Sequence, residues 1–168
     1  MCVAPLSVFI LSPFQILKKM IPSIQRILLL VVAILFFASC EDKIRSSIPD
    51  YPVSLNLKLA GEYNTFNSPN LYKVFETRQF ETDFVGYGGI LVYIGFDNEY
   101  YAFDMCCPYE LKSTIKVRPN DLGQAICDSC KSVYDIGYGV GNPSSGKSKE
   151  ALKRYKANIS GNILRITR

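Results

Sequence analysis

The sequence predicts an all-β domain of short antiparallel strands, and three observations carry that prediction. Two stretches alternate apolar and polar residues on either side of a tight turn, as hairpins do. No window beyond the N-terminal region holds a helical period for a useful length. Between the two hairpins lies a loop-rich stretch with four cysteines and little apolar content of its own. Together these indicate a small antiparallel sandwich or barrel with a Cys-rich loop subdomain.

The N-terminal region is of another kind. Lys18, Lys19 and Arg26 precede an apolar run from Ile27 to Ala38, twelve residues long. A spanning helix needs about 20, whereas a cationic flank and a short apolar run suit an export signal. The run ends in Phe37-Ala38-Ser39-Cys40, which resembles the lipobox of bacterial lipoproteins. The resemblance implies that Cys40 is lipidated and becomes the first residue of the mature chain. It also implies that the protein resides in the cell envelope, held to the outer membrane through its lipid. Residues 1–39 are then the signal peptide. Met20 is a normal signal length before Cys40, so translation is expected to start there, with Cys2 never made. Past Cys40 sixteen bases face fifteen acids, a balance of +1, so the overall +4 belongs mostly to the signal. No nucleic-acid surface is indicated.

In the mature chain, residues 40–52 are polar with two prolines and read as a lipidated tether. The domain is expected over 53–168. "VSLNLKLA" alternates with Val53, Leu55, Leu57 and Leu59 on one face, a half-buried strand. "LYKVFE" is a candidate short strand. "GGILVYIGF" is a dense apolar strand, turned at Asp97-Asn98-Glu99 into "YYAFD". "YKANIS" and "NILRIT" form the last hairpin around Gly161. "KSKEALKRY" has room for one helical turn. The loop subdomain, about 105–146, carries Cys106, Cys107, Cys127 and Cys130. A piece so poor in apolar residues needs a metal or a disulfide to hold it.

Strand hairpin, cysteine-bearing insertion and closing hairpin resemble the Rieske iron–sulfur domain. In that family two cysteines bind one iron of a [2Fe–2S] cluster and two histidines the other. Cys107-Pro108-Tyr109 falls on the first loop motif, and Cys127-Asp128-Ser129-Cys130 falls on the second. "SVYDIGYGVGNP" and "ALKRYKANISGNILRI" resemble the segments that follow. Tyr109 and Cys130 occupy the histidine positions, and the chain has no histidine, so two-histidine ligation cannot form. The resemblance implies that the loops face each other, bringing Cys107 near Cys127 or Cys130, with Cys106 turned away.

Three readings of these cysteines stand side by side. A thiolate metal site would use Cys127-x-x-Cys130 as one half and Cys107 or Cys106 in the other, with Tyr109 as a weak further ligand, holding Zn²⁺ or an iron–sulfur cluster. A disulfide clasp suits an exported protein. The third reading is free or exchanging thiols. The expectation is a cell-envelope binding or structural module whose loops are joined by disulfide, with no cofactor and an envelope protein as partner. The alternative is an electron carrier with a thiolate-ligated [2Fe–2S] cluster, or a Zn site. Without histidine no Ser/His/Asp or Cys/His catalytic set exists, and the carboxylates are scattered, so an enzyme is not expected.

Overall fold

The computed structural model describes residues 46–168 and, before them, Gln25 and Leu28, both helical. The signal peptide, Cys2, Met20 and the lipidation site Cys40 lie outside the described residues. Among the described residues no helix is long and apolar enough to cross a membrane. Residues 46–168 belong to one compact unit.

Eleven strands follow in order. They are β1 (Val53–Lys58), β2 (Tyr72–Phe75), β3 (Phe84–Val85), β4 (Ile90–Ile94) and β5 (Tyr100–Asp104), then β6 (Val117–Pro119), β7 (Gln124–Cys127), β8 (Val133–Asp135) and β9 (Asn142–Ser145), then β10 (Arg154–Ser160) and β11 (Ile163–Thr167). A seven-stranded sheet has the order β2-β4-β5-β10-β11-β1-β3, and a four-stranded sheet has the order β6-β7-β8-β9. Every strand pairing is antiparallel. Strand β10 curls the larger sheet toward a barrel: Arg154 and Tyr155 pair with β5, while Lys156–Ser160 pair with β11. The fold class is the all-β one expected.

Strand β4 explains how the two sheets share a wall. Its five residues are all buried, because both faces are covered. Ile90, Val92 and Ile94 join Leu55, Leu57, Leu164 and Ile166 in the barrel core. Leu91 and Tyr93 point the other way and pack with Phe103, Met105, Val117, Tyr134 and Ile136 in a second core beneath the loops. Period-two alternation with two covered faces reads in sequence as one apolar run. Each buried aliphatic side chain here contributes about 1.5–3 kcal/mol. Asn98 turns β4 into β5 at φ 65°, a conformation Asn tolerates.

The subdomain holds more regular structure than its composition suggests. Strands β6 to β9 have three or four residues each, too short to show a period. The helical turn allowed for "KSKEALKRY" is absent. Its backbone is drawn elsewhere, with the Lys147 and Ser148 N–H groups on Ser132 Oγ and the Leu152 N–H on the Gly141 carbonyl.

Ser46–Asp50, within the stretch read as tether, lies against the domain. Ile48 is buried. Glu150 Oε1 accepts from Ser46 Oγ at 3.0 Å and from the Ser47 N–H at 2.7 Å. Lys153 Nζ donates to the carbonyls of Ile48 and Pro49 and to Asp50 Oδ1.

Candidate metal centre

The first cysteine loop leaves β5 at Asp104, whose carboxylate is fully buried. It accepts four hydrogen bonds: from the N–H groups of Tyr87 at 3.1 Å, Gly88 at 3.0 Å and Cys106 at 2.8 Å, and from Tyr155 Oη at 2.6 Å. A buried carboxylate so satisfied fixes what it touches. The double glycine at the β4 entry is needed for this approach. A Cβ on Gly88 would collide with the Cys106 N–H and with Asp104 Oδ1. Burial, then the Asp104 charge, pushes the Tyr155 phenol well above the ordinary tyrosine range, so it stays a donor.

Cys106 and Cys107 then part company. Cys106 makes a bridge to Lys116 and turns its sulfur toward the carbonyls of Cys107 and Lys112. Burial, with the nearby Asp104 charge, pushes its thiol up to about 12. Cys107 turns to the other side, as neighbours on extended chain do. Its sulfur lies 3.7 Å from Cys130 Sγ and 3.2 Å from Tyr134 Oη.

The second loop closes between β7 and β8. Cys127 ends β7, fully buried, and its N–H bonds the Ser132 carbonyl at 2.9 Å. Lys131 takes φ 57°, which reverses the chain between Cys130 and Ser132. The sulfurs of Cys107, Cys127 and Cys130 all lie within 4.8 Å of one another. Two thiolates at about 2.3 Å from one tetrahedral ion sit about 3.8 Å apart, so this spacing suits a metal.

The three thiols differ in environment. Burial pushes Cys127 up to about 12, outweighing the N–H groups of Cys130 and Ser129 that favour its thiolate. Burial acts on the half-exposed Cys130 too, but Ser132 and the neighbouring thiols outweigh it and hold Cys130 below the ordinary range. Ser132 Oγ is 3.1 Å from Cys130 Sγ and already accepts the Lys147 and Ser148 N–H groups at 3.0 Å each. Its hydroxyl proton is left to face the sulfur once Cys130 is deprotonated. Tyr134 is buried, and burial together with its bond to Cys107 raises its phenol far above the ordinary range, so it donates to that sulfur.

The structure therefore brings together Cys107, Cys127 and Cys130, and sets Cys106 apart. Tyr109, at the other histidine position, is half-exposed, with Lys147 Nζ 6.0 Å over its ring. The expected disulfide clasp is not formed, since all four cysteines are free thiols. Three sulfurs meet at one point, whereas a disulfide at about 2.05 Å joins two and strands the third. The expectation of no cofactor finds no support in this convergence. The sequence reading passed over Ser132, Tyr134 and Ser148 as site residues; their place two to four residues after Cys130, or far along the chain for Ser148, carries no chemistry by itself.

The layout is the Rieske-like one expected: a barrel-like sheet, a subdomain inserted between β5 and β10, and two cysteine loops facing each other. No family model matches the chain, and no curated protein matches it. Among solved structures, the chain is similar to one from a complex of reduced oxygenase and oxidized ferredoxin in carbazole 1,9a-dioxygenase. That match has 13% identity and TM-score 0.45, and covers 68% of this chain and 93% of the other. It is also similar to the ferredoxin of carbazole 1,9a-dioxygenase from Nocardioides aromaticivorans IC177, at 15% identity and TM-score 0.43, over 69% of this chain and 96% of the other.

Proposed function

We propose that this protein is a lipid-anchored electron carrier of the bacterial cell envelope, with a thiolate-bound iron–sulfur centre held between its two cysteine loops. The single observation that supports the reading most is the meeting of Cys107, Cys127 and Cys130 within 4.8 Å on two facing loops. Thiolates suit iron–sulfur clusters. Cys107 and Cys127 stand where the Rieske family has its two cysteine ligands. Cys130 and Tyr109 stand where it has its histidines; Tyr109 is half-exposed, so the outer iron would take the Cys130 thiolate and a solvent ligand. Such a cluster supplies one-electron transfer without bond making. The chain's own contribution is to bury Cys107 and Cys127 and to donate to the sulfurs from Tyr134 and Ser132. Cys40 supplies the membrane anchor.

A second reading rests on the sulfur triangle itself. Its 3.7 Å edge between Cys107 and Cys130 suits one tetrahedral ion such as Zn²⁺ with an outside fourth ligand. Protein purified without oxygen separates the two. A cluster brings two irons and two acid-labile sulfides per chain with a visible absorption band; a single ion brings one metal and no sulfide. Metal-free protein from iron-replete, zinc-replete cells would overturn both. Radiolabelled lipid incorporated into the wild-type protein but not into Cys40→Ser tests the anchor separately.

A further inference from the structure

The rim of the site carries lysines that no catalytic or metal-binding role uses. Lys112 follows the first loop, Lys131 sits between Cys130 and Ser132, and Lys147 and Lys149 flank Ser148; all four are exposed. Lys147 is placed by its N–H on Ser132 Oγ and by its ammonium over the Tyr109 ring. Two acids share this end, Glu110 and Asp128, and Asp128 faces Arg118 at 3.5 Å. Glu150, which accepts from Ser46 and Ser47, keeps its charge and is a third. Four lysines against three acids leave the rim at +1, and Lys116 and Arg118 against Glu76 beside Asp128 add one more positive charge. Two exposed apolar side chains stand among the lysines, Tyr109 at 50% and Leu111 at 42% exposure.

The second observation concerns where the chain enters. Residues 147–150 touch three things at once: the Tyr109 ring, the Ser132 hydroxyl beneath Cys130, and the Ser46 hydroxyl with the Ser47 N–H. The N-terminal strap thus leaves the domain at its lysine-bearing end. Five residues separate Cys40 from Ser46, six Cα–Cα steps or at most about 20 Å of extended chain. A lipid on Cys40 holds that end within about 20 Å of the bilayer.

We infer that the site end of this domain docks on an anionic lipid surface, with Lys112, Lys131, Lys147 and Lys149 meeting phosphate headgroups and Tyr109 and Leu111 entering the interface. A basic patch adds an electrostatic attachment to anionic lipid beside whatever the lipid on Cys40 supplies. Each lysine near an anionic surface strengthens binding about fivefold. Tyrosine is at home at headgroup depth. The inference deepens the lipid-anchored part of the proposed function and does not depend on a metal.

The test uses the chain from residue 40 onward with Cys40→Ser, which keeps both cores whole and carries no lipid. Its co-sedimentation is measured with vesicles of pure phosphatidylcholine and with vesicles that also contain phosphatidylglycerol. Binding is expected only to the latter, and it should fall as salt shortens the Debye length. Lys131→Glu, Lys147→Glu and Lys149→Glu together should weaken it on the order of a hundredfold or more. Lys58→Glu, at the opposite end of β1 from the strap, should leave it unchanged. Circular dichroism of each variant establishes that it is folded. Equal binding to both vesicles, no binding to either, or a Lys58→Glu loss equal to that of the triple variant overturns the inference. Because the assay omits the lipid, a failed anchor would show in the lipid-labelling experiment and not here.

Discussion

Replacing Tyr155 by Phe removes one hydroxyl group from the junction that fixes the first cysteine loop. The ring stays in the barrel core, 3% exposed, so packing is preserved and the change isolates one hydrogen bond. That bond is short, 2.6 Å, buried, and made to a carboxylate. Bonds to charged groups contribute about 1.5–3 kcal/mol, against about 0.5–1.5 for neutral ones. Asp104 Oδ2 then keeps the Tyr87 N–H alone, at a fully buried carboxylate. The expected loss is therefore about 2–3 kcal/mol. With a urea m-value of about 1–3 kcal/mol/M, the midpoint falls by roughly 1 M. Tyr100→Phe is the internal comparison, because its hydroxyl donates to the neutral Phe66 carbonyl at 2.8 Å. It should cost about 1 kcal/mol. Far-UV circular dichroism in urea reads both, since the chain has no tryptophan. If Tyr155→Phe costs no more than Tyr100→Phe, the buried carboxylate does not anchor this loop and the reasoning fails.

Other outcomes follow from the three-sulfur site. Cys127→Ser should abolish metal retention, while Cys106→Ala keeps it, because the Cys106 sulfur faces carbonyls away from the cluster; loss of metal in both, measured by elemental analysis, would refute the assignment. In the loaded protein Tyr134→Phe should lower the reduction potential by on the order of 60 mV, the one-electron equivalent of a tenfold change, since a donor to a ligand sulfur favours the more negative reduced state. Voltammetry showing no shift would deny that hydrogen bond. In metal-free protein, iodoacetamide should reach Cys130 first. Its thiol is held below the ordinary range, so thiolate appears there as pH rises before it appears at Cys106 or Cys127, both pushed up to about 12 and buried. Peptide mapping that finds Cys106 or Cys127 alkylated as fast would count against the electrostatics described.

The all-β class, the two main hairpins and the identity of the cysteine loops were written in local pattern. Strand β5 runs over the five residues Tyr100–Asp104 that "YYAFD" announces, because alternation and a turn signal are properties of neighbours. Strands β6 to β9 carried no such signal. Val117–Pro119 and Asn142–Ser145 are held by pairing across the subdomain and not by their own periodicity. The cysteines were visible as ligand types, and the family resemblance implied that Cys107 meets Cys127 or Cys130 with Cys106 turned away, but residue spacing by itself could not say which sulfurs meet. That was decided by Asp104, which gathers four donors from Tyr87, Gly88, Cys106 and Tyr155, the last of them 51 residues away from it. In doing so it turns Cys106 out and Cys107 in. Sequence spacing likewise gave no reason to join Ser148 to Cys130 through Ser132, or Ser46 to Glu150 across 104 positions. Residue identity sets the chemistry a side chain offers; which partners it meets depends on the long-range packing of strands whose own sequences are too short to specify it.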